Sequence, residues 1–231
     1  ISFTTSLAIM VLSGTKNQKY IEKVKKSIEY LKSIQNKDGG FGYYKDSRSD
    51  LSATEQVTLG LDSGYEFLKL NKKDEVWIKL NSYLKENQNV DGGFGYTKEY
   101  NRNSYGSMTL AGLICQMITQ MDLSSVPVKN TLNWISQNYA LEKNPKADSE
   151  KHYPYYLNKL ATGLHLSGLD SITDDKGNVH FWYKEIVEKL LKEQKPDGTW
   201  EAKWYEPILC TEFYIMILQL KQLEEKVIDI F

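Results

Sequence analysis

The chain carries one six-residue phrase twice, and this repetition limits the folds that are open to it. Asp-Gly-Gly-Phe-Gly-Tyr occupies residues 38–43 and again residues 91–96. Each copy follows a glutamine, Gln35 or Gln88, and these two glutamines lie 53 residues apart. A looser copy with Asp, Gly and Trp follows Gln194, which comes after a further interval of twice 53 residues. A fixed period of this length is the signature of a repeat architecture, in which each unit packs on the next.

Within each period, a charged amphipathic segment alternates with an apolar one. The charged segments place apolar residues at steps of three and four, which indicates helices with one buried face. The apolar segments carry few charges, which indicates helices that are buried on most sides. We therefore predict charged outer helices near 20–34, 74–87, 127–138 and 182–193, and apolar inner helices near 3–12, 52–68, 106–120, 155–167 and 208–223.

This alternation predicts an all-α ring or solenoid of helical hairpins, with charged helices outside and apolar helices inside. The chain begins on an inner helix and with Ile rather than Met, so we expect the outer helix of the first hairpin and any signal peptide to lie upstream. We also expect the aromatic residues of the turns, Phe41, Phe94 and Trp200, to be buried between hairpins.

The composition argues against several classes of function. With 29 basic and 30 acidic residues the chain is nearly neutral, and it has no basic block of the kind that binds nucleic acid. The longest apolar run, residues 7–12, is too short for a transmembrane segment. Cys115 and Cys210 lack the spacing of metal ligands and are expected to be buried thiols, and the three histidines also lack ligand spacing. No metal site, zinc included, and no cofactor are predicted.

The repeat is interrupted at its third turn. Where a glycine-rich phrase is due, residues 137–156 form a longer polar stretch that ends in a cluster of tyrosines. The fourth hairpin carries an insertion at residues 170–180. Departures from a repeat are places where functional groups are often found, so His152 is the histidine that we favour for chemistry.

The spacing of the turn residues carries a resemblance to a known superfamily. A glutamine is followed by a glycine and then by an aromatic residue in Gln35/Gly39/Phe41, Gln88/Gly92/Phe94 and Gln194/Gly198/Trp200. This pattern resembles the repeat of the terpenoid cyclase and protein prenyltransferase superfamily, and the chain looks like the bacterial prenyltransferase and squalene oxidase repeat proteins. The resemblance implies an α/α toroid, partial or complete, of about nine helices in a single domain over residues 1–231. It also implies a central cavity with its mouth at the N-terminal ends of the inner helices, and turn glutamines that cap a neighbouring helix.

Two catalytic signatures of that superfamily are missing. Class II triterpene cyclases protonate an alkene with the middle Asp of Asp-x-Asp-Asp-Thr. Setting Thr54 on the last residue of that motif keeps Asp50 but puts Ser52 in place of the proton donor, and a hydroxyl group cannot protonate an alkene. Protein prenyltransferases bind zinc through Asp-x-Cys and a later His, and here Asp50-x-Ser52 stands at that place.

Two hypotheses for function therefore remain open. In the first, the chain is a non-catalytic member that binds an apolar or isoprenoid-like small molecule in its cavity, or a protein partner. In the second, it is an active terpenoid cyclase or prenyltransferase that uses a non-standard or upstream acid. Glu212 is the preferred acid, because burial in its apolar helix would keep it protonated. The full set of candidate catalytic residues is Glu212, Glu55 and His152, and the candidate ligand-binding residues are Asp50, Ser52, Tyr105, Ser107, Tyr155, Tyr156, Tyr205 and Glu206.

Overall fold

The computed structural model describes residues 1–100, 102–148 and 152–221, and these ranges contain nine α-helices. The inner helices are α1 (Ser2–Gly14), α3 (Leu51–Leu68), α5 (Gly106–Ile118), α7 (Tyr153–Leu166) and α9 (Pro207–Gln219). The outer helices are α2 (Ile21–Ser33), α4 (Glu75–Asn87), α6 (Val126–Gln137) and α8 (Trp182–Glu193). A short 3-10 helix, Gln18–Tyr20, leads into α2.

The predicted all-α class and the predicted helices are confirmed. Each predicted helix is present, and its ends lie within two residues of the expected ones except at the end of the last inner helix. That helix ends at Gln219, four residues before the expected residue 223, which lies outside the described residues. Local periodicity was a reliable guide because the charged and apolar faces of these helices also separate solvent from core.

The inner helices pack side by side in chain order, α1 on α3, α3 on α5, α5 on α7 and α7 on α9. The outer helices pack on this row, α2 on α1 and α3, α4 and α6 on α5, and α8 on α7. Close packing of the row depends on small residues: a Cβ atom on Gly60 of α3 would lie 2.7 Å from the Cα atom of Ser6 on α1. A larger side chain at residue 60 would therefore push α1 and α3 apart.

Each regular turn is bonded to the next outer helix by its glutamine. In the first turn, Gln35 Nε2 donates to the carbonyl oxygen of Gly39 (2.9 Å) and to that of Val76 in the first turn of α4 (3.0 Å). Gly39 has a positive φ of 88°, and a Cβ atom there would lie 2.1 Å from the carbonyl oxygen of Lys79. Glycine is therefore required both by the backbone conformation and by the approach of α4.

The second turn repeats this arrangement on α6. Gln88 Nε2 donates to the carbonyl oxygens of Gly92 (3.0 Å) and Pro127 (2.8 Å), and to Thr131 Oγ1 (2.8 Å). A Cβ atom on Gly92 would lie 2.4 Å from the carbonyl oxygen of Asn130. The same contact thus connects successive hairpins.

The turn aromatics are buried, as expected, and each is tied to the following inner helix. Phe41, Phe94 and Trp200 are at most 2 % exposed. Their backbone N–H groups donate to threonine hydroxyls at the corresponding place in three inner helices, which are Thr54 (2.9 Å), Thr109 (3.1 Å) and Thr211 (3.1 Å). The turns therefore fix each inner helix relative to the outer helix before it.

The insertion in the fourth hairpin forms a two-stranded ladder that the sequence analysis did not predict. Strand β1 (Ile172–Thr173) pairs antiparallel with β2 (Val179–His180). The Asp174 carboxylate accepts hydrogen bonds from the backbone N–H groups of Lys176 and Asn178, which closes the connecting turn. This local turn chemistry carries no helical or strand period, so pattern reading missed it.

Two further expectations concern the helices and the thiols. None of the helices in the described part of the chain combines the length and apolar character that crossing a membrane requires. Cys115 and Cys210 are free and buried, as expected.

The buried indole of Trp200 provides a test of this packing. Its Nε1 atom donates to the Leu190 carbonyl (2.7 Å), and the ring is 2 % exposed. We expect Trp200→Ala to lower the free energy of unfolding by about 3–5 kcal/mol, because a large cavity and an unpaired carbonyl result. Trp204→Ala is the control: this indole is 65 % exposed, so its loss should cost less than about 1 kcal/mol in the same denaturant titration. Equal losses would contradict the packing role of Trp200.

Candidate functional site

The N-terminal ends of the inner helices bring several aromatic and polar residues together. We call this group the mouth, and it consists of Asp50, Ser52, Tyr105, Tyr155, Tyr205 and Phe213. The ring of Tyr155 meets that of Phe213 with centroids 6.1 Å apart, and Tyr205 meets Phe213 at the same distance. The rings of Tyr105, Tyr155, Tyr205 and Phe213 are all partly exposed. They therefore give the mouth an amphiphilic surface.

Asp50 is the buried acid at the start of α3. Its Oδ1 atom accepts a hydrogen bond from the backbone N–H of Ala53 (2.8 Å), so it caps the helix. Burial raises the pKa of Asp50 from 3.8 to about 6, against the opposing effects of the Ala53 N–H and the nearby Tyr96 hydroxyl. Asp50 therefore titrates close to neutral pH.

Glu55 forms a buried ion pair next to the mouth. Its carboxylate lies 2.8 Å from Lys159 Nζ, and the two side chains are 2 % and 8 % exposed. The pair connects α3 to α7, which are not neighbours in the row of inner helices. The Lys159 ammonium also lies 5.0 Å from the centroid of the Tyr155 ring. The carboxylate of Glu55 thus has a counter-charge, and the ammonium faces an aromatic ring.

The hydroxyl group of Tyr155 is buried and has no hydrogen-bond partner of normal geometry. Burial raises the pKa of Tyr155 well above its usual value, and the Glu55 carboxylate adds to this effect. The nearby Ser52 side chain opposes this rise. Buried polar atoms are nearly always paired, so this hydroxyl marks a place where a ligand or water atom would be stabilised.

The expectation that Glu212 is buried is wrong. Its side chain is exposed, because α9 packs on α7 through another face that includes the buried residues Cys210 and Ile217. Glu206, immediately before α9, is also exposed. His152 is exposed at the start of α7, and its Nδ1 atom lies 3.4 Å from the Tyr205 hydroxyl oxygen. His152 is thus at the edge of the mouth, whereas Glu212 lies on a face of α9 that does not pack on α7.

Ser107 and Tyr156 form hydrogen bonds with the interrupted third turn, which we call the divergent loop, and are not part of the mouth. Asn144 Nδ2 donates to Ser107 Oγ (3.0 Å), and the Ser107 N–H donates to Asn144 Oδ1 (2.9 Å). The Tyr156 hydroxyl donates to the Ala140 carbonyl (2.7 Å), and its ring is buried in the core between α5 and α7. Successive residues of a helix point about 100° apart, which separates Tyr156 from its neighbour Tyr155.

The sequence analysis missed three residues of this region. Tyr96 approaches Asp50, Lys159 pairs with Glu55, and Phe213 joins two tyrosines of the mouth. A signal for Lys159 was available, since it is the one charged residue in the apolar segment 156–164. A lone lysine in such a segment indicates a buried partner.

A second concave region lies beside the interrupted third turn. This cleft has a volume of about 970 Å³. It is lined by both charged and aromatic side chains, among them Lys143, Tyr153, Lys189, Glu201 and Tyr214. Two of its lysines are already paired, Lys189 with Glu142 and Glu193, and Lys195 with Glu201. The missing glycine-rich phrase was the sequence signal for this cleft.

No three His, Cys, Asp or Glu side chains lie close enough together to hold a metal ion in residues 1–100, 102–148 and 152–221. At the place of the prenyltransferase zinc ligands, Asp50 caps α3 and Ser52 stands beside Tyr155. The absence of zinc stays a prediction, which metal analysis of the purified protein would check.

Comparison with known proteins agrees with the architecture. A search of the curated proteins finds no match. The family model for the prenyltransferase alpha-alpha toroid domain matches residues 2–144, which is more than half of the 231-residue chain and includes the first two glycine-rich turns. With the row of inner helices, the covering outer helices and the repeated glutamine contacts, this match shows that the chain belongs to the prenyltransferase alpha-alpha toroid domain family.

Proposed function

We propose that this toroid domain is a binding module whose mouth takes an apolar, isoprenoid-like molecule with a hydrogen-bonding end. The observation that carries the proposal is the buried, unpartnered hydroxyl of Tyr155, whose ring lies among partly exposed aromatic rings. A ligand with an apolar chain and one polar end matches both features. The chain would lie against the ring faces, and the end would pair with the hydroxyl.

The acids at the mouth favour binding over catalysis. Ser52 occupies the place of the cyclase proton donor, and Glu55 is paired with Lys159 at 2.8 Å. A carboxylate with a buried ammonium as its counter-charge is poorly suited to protonate an alkene. The alkene chemistry of the superfamily therefore lacks a donor among these residues.

Asp50 supports a second candidate, an acid-catalysed reaction of an isoprenoid. Burial raises its pKa to about 6, so part of the population carries a proton near neutral pH. Its capping hydrogen bond to Ala53 opposes this candidate, because that bond favours the charged carboxylate. We rank it second for this reason.

Binding at the mouth can be tested with Tyr155→Phe, which keeps the ring and removes the unpartnered hydroxyl. We use farnesyl diphosphate, geranylgeranyl diphosphate, squalene and a long-chain fatty acid as probes, and calorimetric titration and thermal shift as readouts. At least one probe should bind wild type, and Tyr155→Phe should weaken it about fivefold to tenfold, the effect of one hydrogen bond.

Two control variants locate the site. Tyr20→Phe makes the same change in front of α2, away from the mouth, and should bind like wild type. Lys143→Glu changes the charge of the cleft beside the third turn and should also leave binding unchanged. If none of the probes bound, or if only Lys143→Glu weakened binding, the mouth would not be the ligand site.

Asp50 predicts a pH dependence of stability with an unusual sign. Its pKa is higher in the folded protein, about 6, than the ordinary value of 3.8 that the unfolded chain retains. The folded state therefore binds more protons between about pH 4 and pH 6, and this residue makes the protein less stable as the pH rises through that range. Asp50→Asn keeps a capping side chain, and it should remove up to about 3 kcal/mol of that loss in denaturant titrations.

Asp74, which also precedes a helix, is the matched control. Hydrogen bonds from Lys32 and Tyr65 lower the pKa of Asp74. Asp74→Asn should therefore remove stability that is present at neutral pH and lost in acid, the opposite sign to Asp50→Asn. If both variants gave the same profile as wild type, the burial effect at Asp50 would be refuted.

Product analysis after incubation with the same isoprenoids tests the second candidate, which requires turnover by wild type and none by Asp50→Asn.

A further inference from the structure

The charged groups beside the Tyr155 hydroxyl already compensate each other. The Glu55 carboxylate lies 2.8 Å from Lys159 Nζ, and both side chains are almost completely buried. The Lys159 ammonium faces the Tyr155 ring at 5.0 Å from its centroid. Burial, and after it the Glu55 carboxylate, raises the pKa of Tyr155, so the carboxylate acts on the same hydroxyl. A negative and a positive charge therefore lie next to this hydroxyl as one ion pair.

The second acid of the mouth, Asp50, is also stabilised by groups of the protein. Its side chain is buried, and its Oδ1 atom accepts a hydrogen bond from the backbone N–H of Ala53 (2.8 Å). Burial raises the pKa of Asp50 to about 6, while the Ala53 N–H, the Tyr96 hydroxyl and the charge of Arg48 oppose this rise. The carboxylate of Asp50 is thus held by its own partners and is a weak counter-charge for a further cation.

These charges make the neighbourhood of the Tyr155 hydroxyl unfavourable for a ligand end of either sign. An anionic end would meet the carboxylates of Glu55 and Asp50. A cationic end would meet the Lys159 ammonium, whose carboxylate partner is already used. Moving an ion from water to a buried place costs free energy unless a counter-charge compensates it. An uncharged polar end avoids this cost.

Two hydroxyl groups of the mouth suit an uncharged end that both donates and accepts hydrogen bonds. The Tyr155 hydroxyl is buried without a hydrogen-bond partner, and the Ser52 side chain lies near it. An alcohol is at once a donor and an acceptor, so it can bond to both of these hydroxyls. The partly exposed rings of Tyr105, Tyr205 and Phe213 offer apolar surface to the rest of such a ligand.

We propose that the mouth prefers an uncharged isoprenoid alcohol over molecules of the same chain that end in a charged group. This inference rests on the proposed function, because it specifies the ligand of the same site. The alcohol pairs with the Tyr155 hydroxyl, and the isoprenoid chain lies against the ring faces. Glu55 and Lys159 determine the specificity, since each cancels the charge that the other would offer to a ligand.

Three ligands with one farnesyl chain test the proposal on the wild-type protein. At neutral pH, farnesol is uncharged, farnesylamine is positive and farnesoate is negative. In calorimetric titrations, farnesol should have a Kd at least about tenfold lower than either charged ligand. Its Kd should also be the same at low and at high salt, because its binding pairs no charges.

The wild-type titrations separate failure of this inference from failure of the proposed function. If farnesylamine or farnesoate bound as tightly as farnesol, the preference for an alcohol would be overturned, and the mouth would still be a binding site. If none of the three ligands bound, the proposed function itself would fail, and this inference with it.

Reciprocal variants test whether the ion pair sets the preference. Glu55→Gln leaves the Lys159 ammonium without its carboxylate, so the affinity for farnesoate should rise about tenfold relative to farnesol. Lys159→Gln leaves the Glu55 carboxylate without its ammonium, so farnesylamine should gain instead. Glu75→Gln makes the same change in the exposed pair with Lys79 on α4, and it should keep the wild-type ranking.

Circular dichroism and thermal melts should show each of these variants folded. If the same ligand gained in Glu55→Gln and in Lys159→Gln, or if neither variant changed the ranking, the role of the ion pair would be overturned. The ranking of the three ligands by the wild-type chain decides the proposal where a variant does not fold.

Discussion

The structure depends on one hydrogen bond that is repeated from hairpin to hairpin. The side-chain amide of a turn glutamine donates both within its own turn and to a carbonyl in the first turn of the next outer helix. This bond sets the spacing of the outer helices, and the turn glycine permits it because a Cβ atom would occupy the same space as the helix backbone. The threonine contacts then place the inner helices. A short local phrase thus sets the same arrangement at two successive hairpin junctions.

The contacts at the mouth depend on individual residues and are not repeated from hairpin to hairpin. Glu55 and Lys159 form an ion pair that connects α3 to α7, and both charges are almost completely removed from water. Such a pair costs desolvation energy, and removing one partner would leave a buried charge uncompensated. It therefore holds the two helices together near Tyr155. The counter-charge that it gives Glu55 is one reason for which we rank binding above catalysis in our proposal.

The sequence predicted the helices well and the site only in part. Helix positions depend on the local spacing of apolar and charged residues, which the chain displays directly. Site residues depend on which faces meet. Asp50 lies at the N-terminal end of α3, as the turn before it indicated, but Glu212 was predicted to be buried and is exposed. Its surroundings on α9 are apolar in sequence, yet the side that carries it faces away from α7.

The sequence by itself determined the repeat, the alternation of outer and inner helices and the burial of the turn aromatics, because each follows from periodicity or from the conformational needs of glycine. The tertiary structure decided which partners the polar residues found. Ser107 binds Asn144 in the divergent loop, Glu55 binds Lys159, and the Tyr155 hydroxyl is left without a partner. These outcomes join residues 37 and 104 positions apart in the first two cases. Such pairs depend on which helix faces meet in the folded chain, and no local pattern in the sequence records that.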